Sequence, residues 1–389
     1  MRSILKICLL SFFVVILVLS ACSSDLHPMD LGNYLKDLFV SNGVVIHEDD
    51  FFEPVEDPYL AYAVMLNLVT SSRSSDERIT LSTAEDISEQ FMVVKDKLLL
   101  DGLYGKIDMH EHYVKGGKID VFLDAAGCLG ISKVVFLPTG SSPDNSGYEA
   151  NFKSLIKKFN ESYPDRVIPF CSIDEADPRA AEIFEEFVKE GAKGLKLIGG
   201  HPNFYDEPLN SENMYRVYRK VDQYDIPVLL HASIIGIPGL LEEVDQVYSD
   251  FPGITFIQAH YGSSMYTKIE LNKCADLLDK HPNLYIDLSM GGGIKRYHYF
   301  LQKDLQQIKD FVLTYQDRIL FGSDIILGAS ETKNFDWLYD RIWCDIALHQ
   351  MAEYTCEFGE SEWLHHGFEL DKAVLRKLYY ENPKKVLGF

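Results

Sequence analysis

The chain has 389 residues and carries 37 lysines and arginines against 59 aspartates and glutamates, a formal net charge of −22. A balance this acidic excludes nucleic acid from the expected partners, because that affinity depends on cationic side chains neutralising phosphates. Seven cysteines without a CxxC pair exclude a disulfide framework as the source of the fold; Cys344 and Cys356 are near enough in sequence to pair, but the scattered spacing favours buried thiols.

Taken in chain order, the first segment is a leader. Arg2 and Lys6 flank the start of the apolar run LLSFFVVILVL, and Ser20-Ala21-Cys22 follows it. A basic start, a short apolar core and small residues before a cut site describe a secretory signal over 1–21. The run is too short and too early for a comfortable membrane span. Leu19-Ser20-Ala21-Cys22 resembles the lipobox of bacterial lipoproteins, which implies lipidation at Cys22 and an exported protein tethered to a membrane. The alternatives are an ordinary signal peptide or an uncleaved anchor. Loss of 1–21 removes Arg2 and Lys6 and no acid, which moves the net charge from −22 to −24.

Residues 22–104 read as a mostly helical N-terminal extension. Helical patterns fall near Pro58–Leu68 and Thr83–Leu100, around an exposed loop, SSRSSDER, at 71–78. No chemistry is assigned to this segment.

From Gly105 the pattern becomes regular. Eight apolar runs alternate with amphipathic stretches: KIDMHEHY, SKVVFLPTG, VIPFCSID, AKGLKLIGG, PVLLHAS, TFIQAHYG, LYIDLSMG and ILFGSDII. Near-continuous apolar strands separated by helices predict a parallel sheet covered on both faces. Eight of them over 105–389 predict an α/β fold of the (β/α)₈ TIM-barrel class, which needs about 250 residues. Asp177-Pro178 and Ser211 mark helix starts.

Active sites of such barrels form at the C-terminal rim, so strand ends carry the candidates. Strand one ends in His110-Glu111-His112, strand five in His231, strand six in His260 and strand eight in Asp324. Residues two apart share a strand face, so His110 and His112 point together and Glu111 points away. With His231 and Asp324 they form a nitrogen and oxygen ligand set for one divalent metal, zinc first and manganese second. Taken singly, His231 reads equally as a core histidine and Asp324 as a helix N-cap. Lys196 lies on strand four, and His201 follows in a loop where a surface position is expected.

These residues, with IDMHEH, GAKGLKLIGG, IPVLLHAS, FIQAHYG, LYIDLS, ILFGSDI and ENPKKVLG, resemble the amidohydrolase superfamily and its amidohydrolase-related branch of metal-dependent hydrolases and decarboxylases. The resemblance covers 105–389. It implies metal ligands at His110, His112, His231 and Asp324, and a sixth-strand histidine, His260, that binds a second metal or polarises water or substrate. For Lys196 it leaves three roles open: a carboxylated bridge between two metals, a contact to an anionic substrate, or structure alone. The extension before the first-strand motif departs from compact members.

The expected reaction is hydrolysis of an amide, lactone or ester in a small carboxylated molecule by water that the metal activates. Asp324 would move the proton, and His260 would orient the water or stabilise the oxyanion. A nonoxidative decarboxylase of the same fold and a non-catalytic surface binding lipoprotein are the two rivals. The partners are thus a small-molecule substrate and a lipid anchor; the sequence does not give the oligomeric state.

Overall fold

The computed structural model describes residues 105–114, 116–138, 148–262, 268–289, 302–330, 332–357 and 362–389. The signal segment, Cys22 and the 22–104 extension lie outside the described residues.

Ten short parallel strands form the eight staves of a barrel. They are β1 (Lys106–Tyr113), β2 (Ile131–Pro138), β3 (Val167–Pro169), β4 (Cys171–Ser172), β5 (Leu195–Gly200), β6 (Val228–Ala232), β7 (Phe256–Gln258), β8 (Leu284–Asp287), β9 (Ile319–Leu320) and β10 (Ile326–Leu327). Pairing runs β10-β1-β2-β3 and β4-β5-β6-β7-β8-β9. Two staves are split, and each split stave is a hinge of the ring. At Phe170 the third changes partner: its N–H donates to Phe136 at 3.0 Å, and that of Cys171 to Gly194 at 2.9 Å. The eighth pairs β8 through Leu320 and β1 through Ile326 and Leu327, which closes the barrel.

The eight apolar runs therefore became eight staves, and helices cover them. The sequence explains α4 (Glu212–Tyr224), which follows α1 (Ile119–Cys128), α2 (Tyr148–Ser162) and α3 (Ala180–Lys189). Ser211 caps it by accepting from the Met214 N–H, an interaction worth about 1 kcal/mol. Met214, Val217, Tyr218 and Val221 make its buried stripe, at the spacing that puts one helix face on a sheet. Asp225, at φ 52°, ends it in the left-handed region. The start expected at Asp177-Pro178 falls slightly later: Asp177 accepts from the Arg179 N–H at 2.8 Å, so its carboxylate is spent on the turn, and the helix begins at Ala180.

Inside the ring, Ile107, Met109, Val135, Leu229, Ile257 and Leu320 pack into one buried cluster. The fourth stave contributes a lysine: Lys196 is in register with Leu229 and is 1% exposed. Outside the ring a larger core joins strands to helices.

Between the later staves lie α5 (Leu240–Asp250), α6 (Lys268–Lys280) and α7 (Leu305–Thr314); after β10 come α8 (Phe335–Gln350) and an antiparallel hairpin, β11 (Glu353–Glu357) with β12 (Glu362–His366). The sequence reading did not anticipate this hairpin. It also expected thiols at Cys344 and Cys356, and here the structure corrects it: packing of β11 against the end of α8 brings the two into a disulfide. Cys171 and Cys274 are buried free thiols.

Candidate metal centre

The first stave carries a bulge that aims the site. Asp108 is opposite Val134 but Glu111 is opposite Phe136, so β1 uses one residue more than β2 over this stretch. Such a bulge re-aims side chains. Met109 belongs to the inner cluster, and beyond the bulge His112 is in register with inward-facing Leu137. His110 and His112 thus enter the barrel together, while Glu111 turns to the opposite face. Gly322 permits the approach of the eighth stave, since a Cβ there would stand 2.7 Å from the Cβ of His110.

His110 Nε2 and His112 Nε2 are 3.2 Å apart. Asp324 Oδ1 lies 3.4 Å from the first and 3.2 Å from the second. An ion held tetrahedrally at about 2.0–2.1 Å by nitrogen and oxygen spaces its ligand atoms about 3.3–3.4 Å apart. The observed triangle fits that edge length, and these three residues form one of two groups among the described residues whose ligand atoms converge closely enough for a metal. Asp324 is not an N-cap. It sits at φ 51° and leads directly into strand β10, not into a helix.

His260 follows β7 in a left-handed conformation, φ 57°, and stacks on His110 with centroids 5.0 Å apart. His231 stands one ring further along, 4.9 Å from His260, and His201 lies 4.8 Å beyond it. The five imidazoles form a row, with His110 and His112 5.1 Å apart at one end. His201 is accordingly half-buried against His231, rather than a surface residue as its loop position suggested. Lys196 Nζ reaches His110 Nε2 at 3.3 Å, so the fourth-stave lysine is at the floor of the site.

Electrostatics divide these groups. Burial, then the charge of Lys196, pulls His110 down to about 3, against opposition from Asp287 and Asp324; neutral imidazole is the form that ligates. Burial lowers His112 and, with His260 and Lys196, holds His231 well below the usual range. Burial also lowers Lys196 to about 8 against the attraction of Asp324, Asp287 and Glu175. For Asp324 burial acts upward, but His110, His260 and His112 overcome it and keep the carboxyl well below its ordinary value.

The sequence reading missed Asp287, the last residue of β8. Its Oδ2 lies 2.8 Å from His110 Nδ1, and with His110 and His260 it forms the second converging group. Its place at a strand end was the available signal. Also unassigned was the buried support behind β1. Asp108 accepts from the Ser323 N–H at 3.2 Å and its hydroxyl at 2.8 Å. Glu111 contacts the same hydroxyl and accepts from the Ile325 N–H at 3.1 Å. Asp324 is therefore flanked by two clamped residues.

A parallel eight-stave barrel with a histidine and carboxylate cluster at its C-terminal rim defines a TIM-barrel protein with a candidate metal centre. The sequence pattern of the Amidohydro_2 family, described as amidohydrolase, matches residues 107–389. The chain belongs to this amidohydrolase family, whose members are enzymes. No curated protein matches it. Among solved structures it is similar to an amidohydrolase from Burkholderia multivorans with bound HEPES, at 11% identity and TM-score 0.50 over 73% of this chain and 99% of that one. A zinc-bound crystal form of that protein aligns at 13% identity and TM-score 0.49 over 73% and 99%. The 2,6-dihydroxybenzoate decarboxylase from Rhizobium aligns at 15% identity and TM-score 0.46 over the same shares. At these identities the likeness is one of fold.

Proposed function

We propose that this chain is a metal-dependent hydrolase acting on an amide, lactone or ester bond of a small carboxylated molecule. The observation that carries the reading is the triangle of His110 Nε2, His112 Nε2 and Asp324 Oδ1, spaced at the edge of a small cation's coordination shell. These three residues would hold the ion, with His231, further along the imidazole row, as the fourth ligand. The donor set suits zinc, then manganese. When bound, such an ion polarises a carbonyl and brings the pKa of water to about 7.

The protein's own groups do the rest. Asp324 turns Oδ1 to the histidine pair and leaves Oδ2 toward His260, 3.8 Å from its Nδ1. A carboxylate held ionised there would accept the proton of attacking water and return it to the leaving group. His260 lies beside that path, to orient the water or meet the oxyanion. The Lys196 ammonium faces the same floor and favours an anionic substrate. Export and lipid anchoring at Cys22 are inferred from the N-terminal sequence alone.

The test is elemental analysis of the purified full-length chain beside a His110→Ala/His112→Ala variant, followed by a screen of carboxylated esters, lactones and amides. About one zinc or manganese per chain, lost in the variant, supports the site. About two per chain would recast Lys196 and His260 as ligands. No metal after reconstitution would overturn the reading. Turnover that releases CO₂ instead of an acid with its amine or alcohol would replace hydrolysis with decarboxylation.

A further inference from the structure

Asp287 is fully buried, and its two oxygens serve different histidines. Oδ2 meets His110 Nδ1 at 2.8 Å. Oδ1 accepts from the backbone N–H of His260 at 3.1 Å and from that of Ser289 at 3.0 Å, and it also contacts the Ser289 hydroxyl. Ser289 Oγ in turn lies 2.9 Å from His260 Nδ1 and 3.2 Å from His110 Nδ1.

Counting hydrogens decides how this group is wired. Backbone N–H groups only donate, so Oδ1 is an acceptor. A carboxylate gathering this many donors has none of its own to offer, so His110 must present Nδ1–H to Oδ2. The serine hydroxyl has one hydrogen and gives it to Oδ1. Toward His260 it can then only accept, so His260 also carries its hydrogen on Nδ1. The more distant Asp324 Oδ2, 3.8 Å from the same nitrogen, does not compete with a 2.9 Å bond. Both rings, when neutral, are therefore left with an unprotonated Nε2. For His110, Nε2 is the atom that faces His112 and Asp324, and the Lys196 ammonium lies 3.3 Å from it.

We propose that Asp287 is the positioning residue of this centre, fixing His110 directly and His260 through Ser289 so that both present an unprotonated Nε2. Resting on the metal-hydrolase reading above, this also chooses between the two roles left for His260: an unprotonated Nε2 accepts from the attacking water and offers nothing to an oxyanion. Carboxylate partners of this kind raise ligand basicity and hold the ring, and their loss costs about 10- to 100-fold in metal affinity.

Asp287→Asn tests the wiring. The two backbone N–H groups on the Oδ1 side select the amide oxygen, so the new NH₂ must face His110 Nδ1 and force its hydrogen to Nε2. The full-length chain, labelled with ¹⁵N-histidine and stripped of metal, is read by long-range proton–nitrogen NMR; His110→Gln and His260→Gln spectra assign the signals. Nδ1–H on both rings in the wild type, with His110 switched in Asp287→Asn, is the expected result. Zinc affinity, measured by competition with a chromogenic chelator, should fall about 10- to 100-fold in Asp287→Asn. Ser289→Ala should release only His260 from its Nδ1–H form and leave zinc affinity close to that of the wild type. Nε2–H on either ring in the wild type, or unchanged tautomers in both variants, would overturn the proposal. If the wild type binds no zinc, the hydrolase reading fails, while the tautomers of the metal-free protein still decide the role of Asp287. Should Asp287→Asn not fold, the wild-type tautomers decide the His110 arm and Ser289→Ala the His260 arm.

Discussion

The backbone N–H of Asp324 donates to the carbonyl oxygen of His110 at 2.6 Å, so two residues whose side chains converge on one point are also joined through the main chain. The bond lies on the seam where the eighth stave meets the first. It holds Asp324 at φ 51°, a conformation that costs a residue with a Cβ about 1–2 kcal/mol.

The first prediction follows from that conformation. Asp324→Gly and Asp324→Ala both remove the carboxylate, yet only glycine adopts this backbone freely. In chelator, Asp324→Gly should unfold at higher urea than Asp324→Ala, with a gap of about 1 kcal/mol. Equal midpoints would show that the seam stores no backbone strain.

Glu111 gives the second. The Ser323 hydroxyl contacts Asp108 and Glu111 at once, and its single hydrogen cannot serve two carboxylates. Burial, then the charge of Asp108, raises Glu111 well above its usual range, so it is the protonated partner. Glutamine keeps an N–H for Ser323 and an oxygen for the Ile325 N–H. Glu111→Gln should therefore stay within about 1 kcal/mol of wild type, whereas Glu111→Ala, which orphans buried groups and opens a cavity, should lose about 2–4 kcal/mol. Urea unfolding that finds the two variants equally damaged would refute a neutral Glu111.

A pH dependence supplies the third. Glu175 accepts from the backbone N–H groups of Ile198 and Gly199 at 3.0 and 2.9 Å, and burial nonetheless raises it from 4.5 to about 7. A carboxyl raised in the folded state binds more protons there than in the unfolded chain. Its contribution is thus present in full below 4.5 and is lost as pH climbs through about 7, by at most about 1.4 kcal/mol per pH unit. Glu175→Gln keeps both accepted bonds and should flatten the stability curve across this window. Parallel curves for the two proteins would be evidence against the shift.

The fourth concerns the bridge between α8 and the hairpin. Cys344 and Cys356 are 12 residues apart, and closing a loop of about that length stabilises by about 3 kcal/mol in the chain-entropy description. Cys344→Ser/Cys356→Ser should lower stability by about 2–3 kcal/mol without loss of bound metal, because neither cysteine belongs to a converging ligand group among the described residues. Calorimetry and elemental analysis on the same sample check both halves, and metal loss would tie the hairpin to the site.

Much of the barrel was legible because its signals are local. Apolar runs alternating with helical stretches fixed the stave count, and period two put His110 and His112 on one face. The splits at Phe170 and within the eighth stave were invisible, since they arise where a strand exchanges one neighbour for another. The bulge between Asp108 and Glu111 was invisible too; without it the inward parity of Ile107 and Met109 would have carried Glu111 into the barrel and both histidines out of it.

By itself the sequence determined the fold class and the residue types at the rim, because strand periodicity and strand ends are properties of short stretches. Only the tertiary structure decided which ligand atoms meet and how each histidine is held. Asp287 touches His110 across 177 positions, and Ser323 touches Asp108 across 215. No local period reaches so far, and it is barrel closure that brings such groups within hydrogen-bond distance.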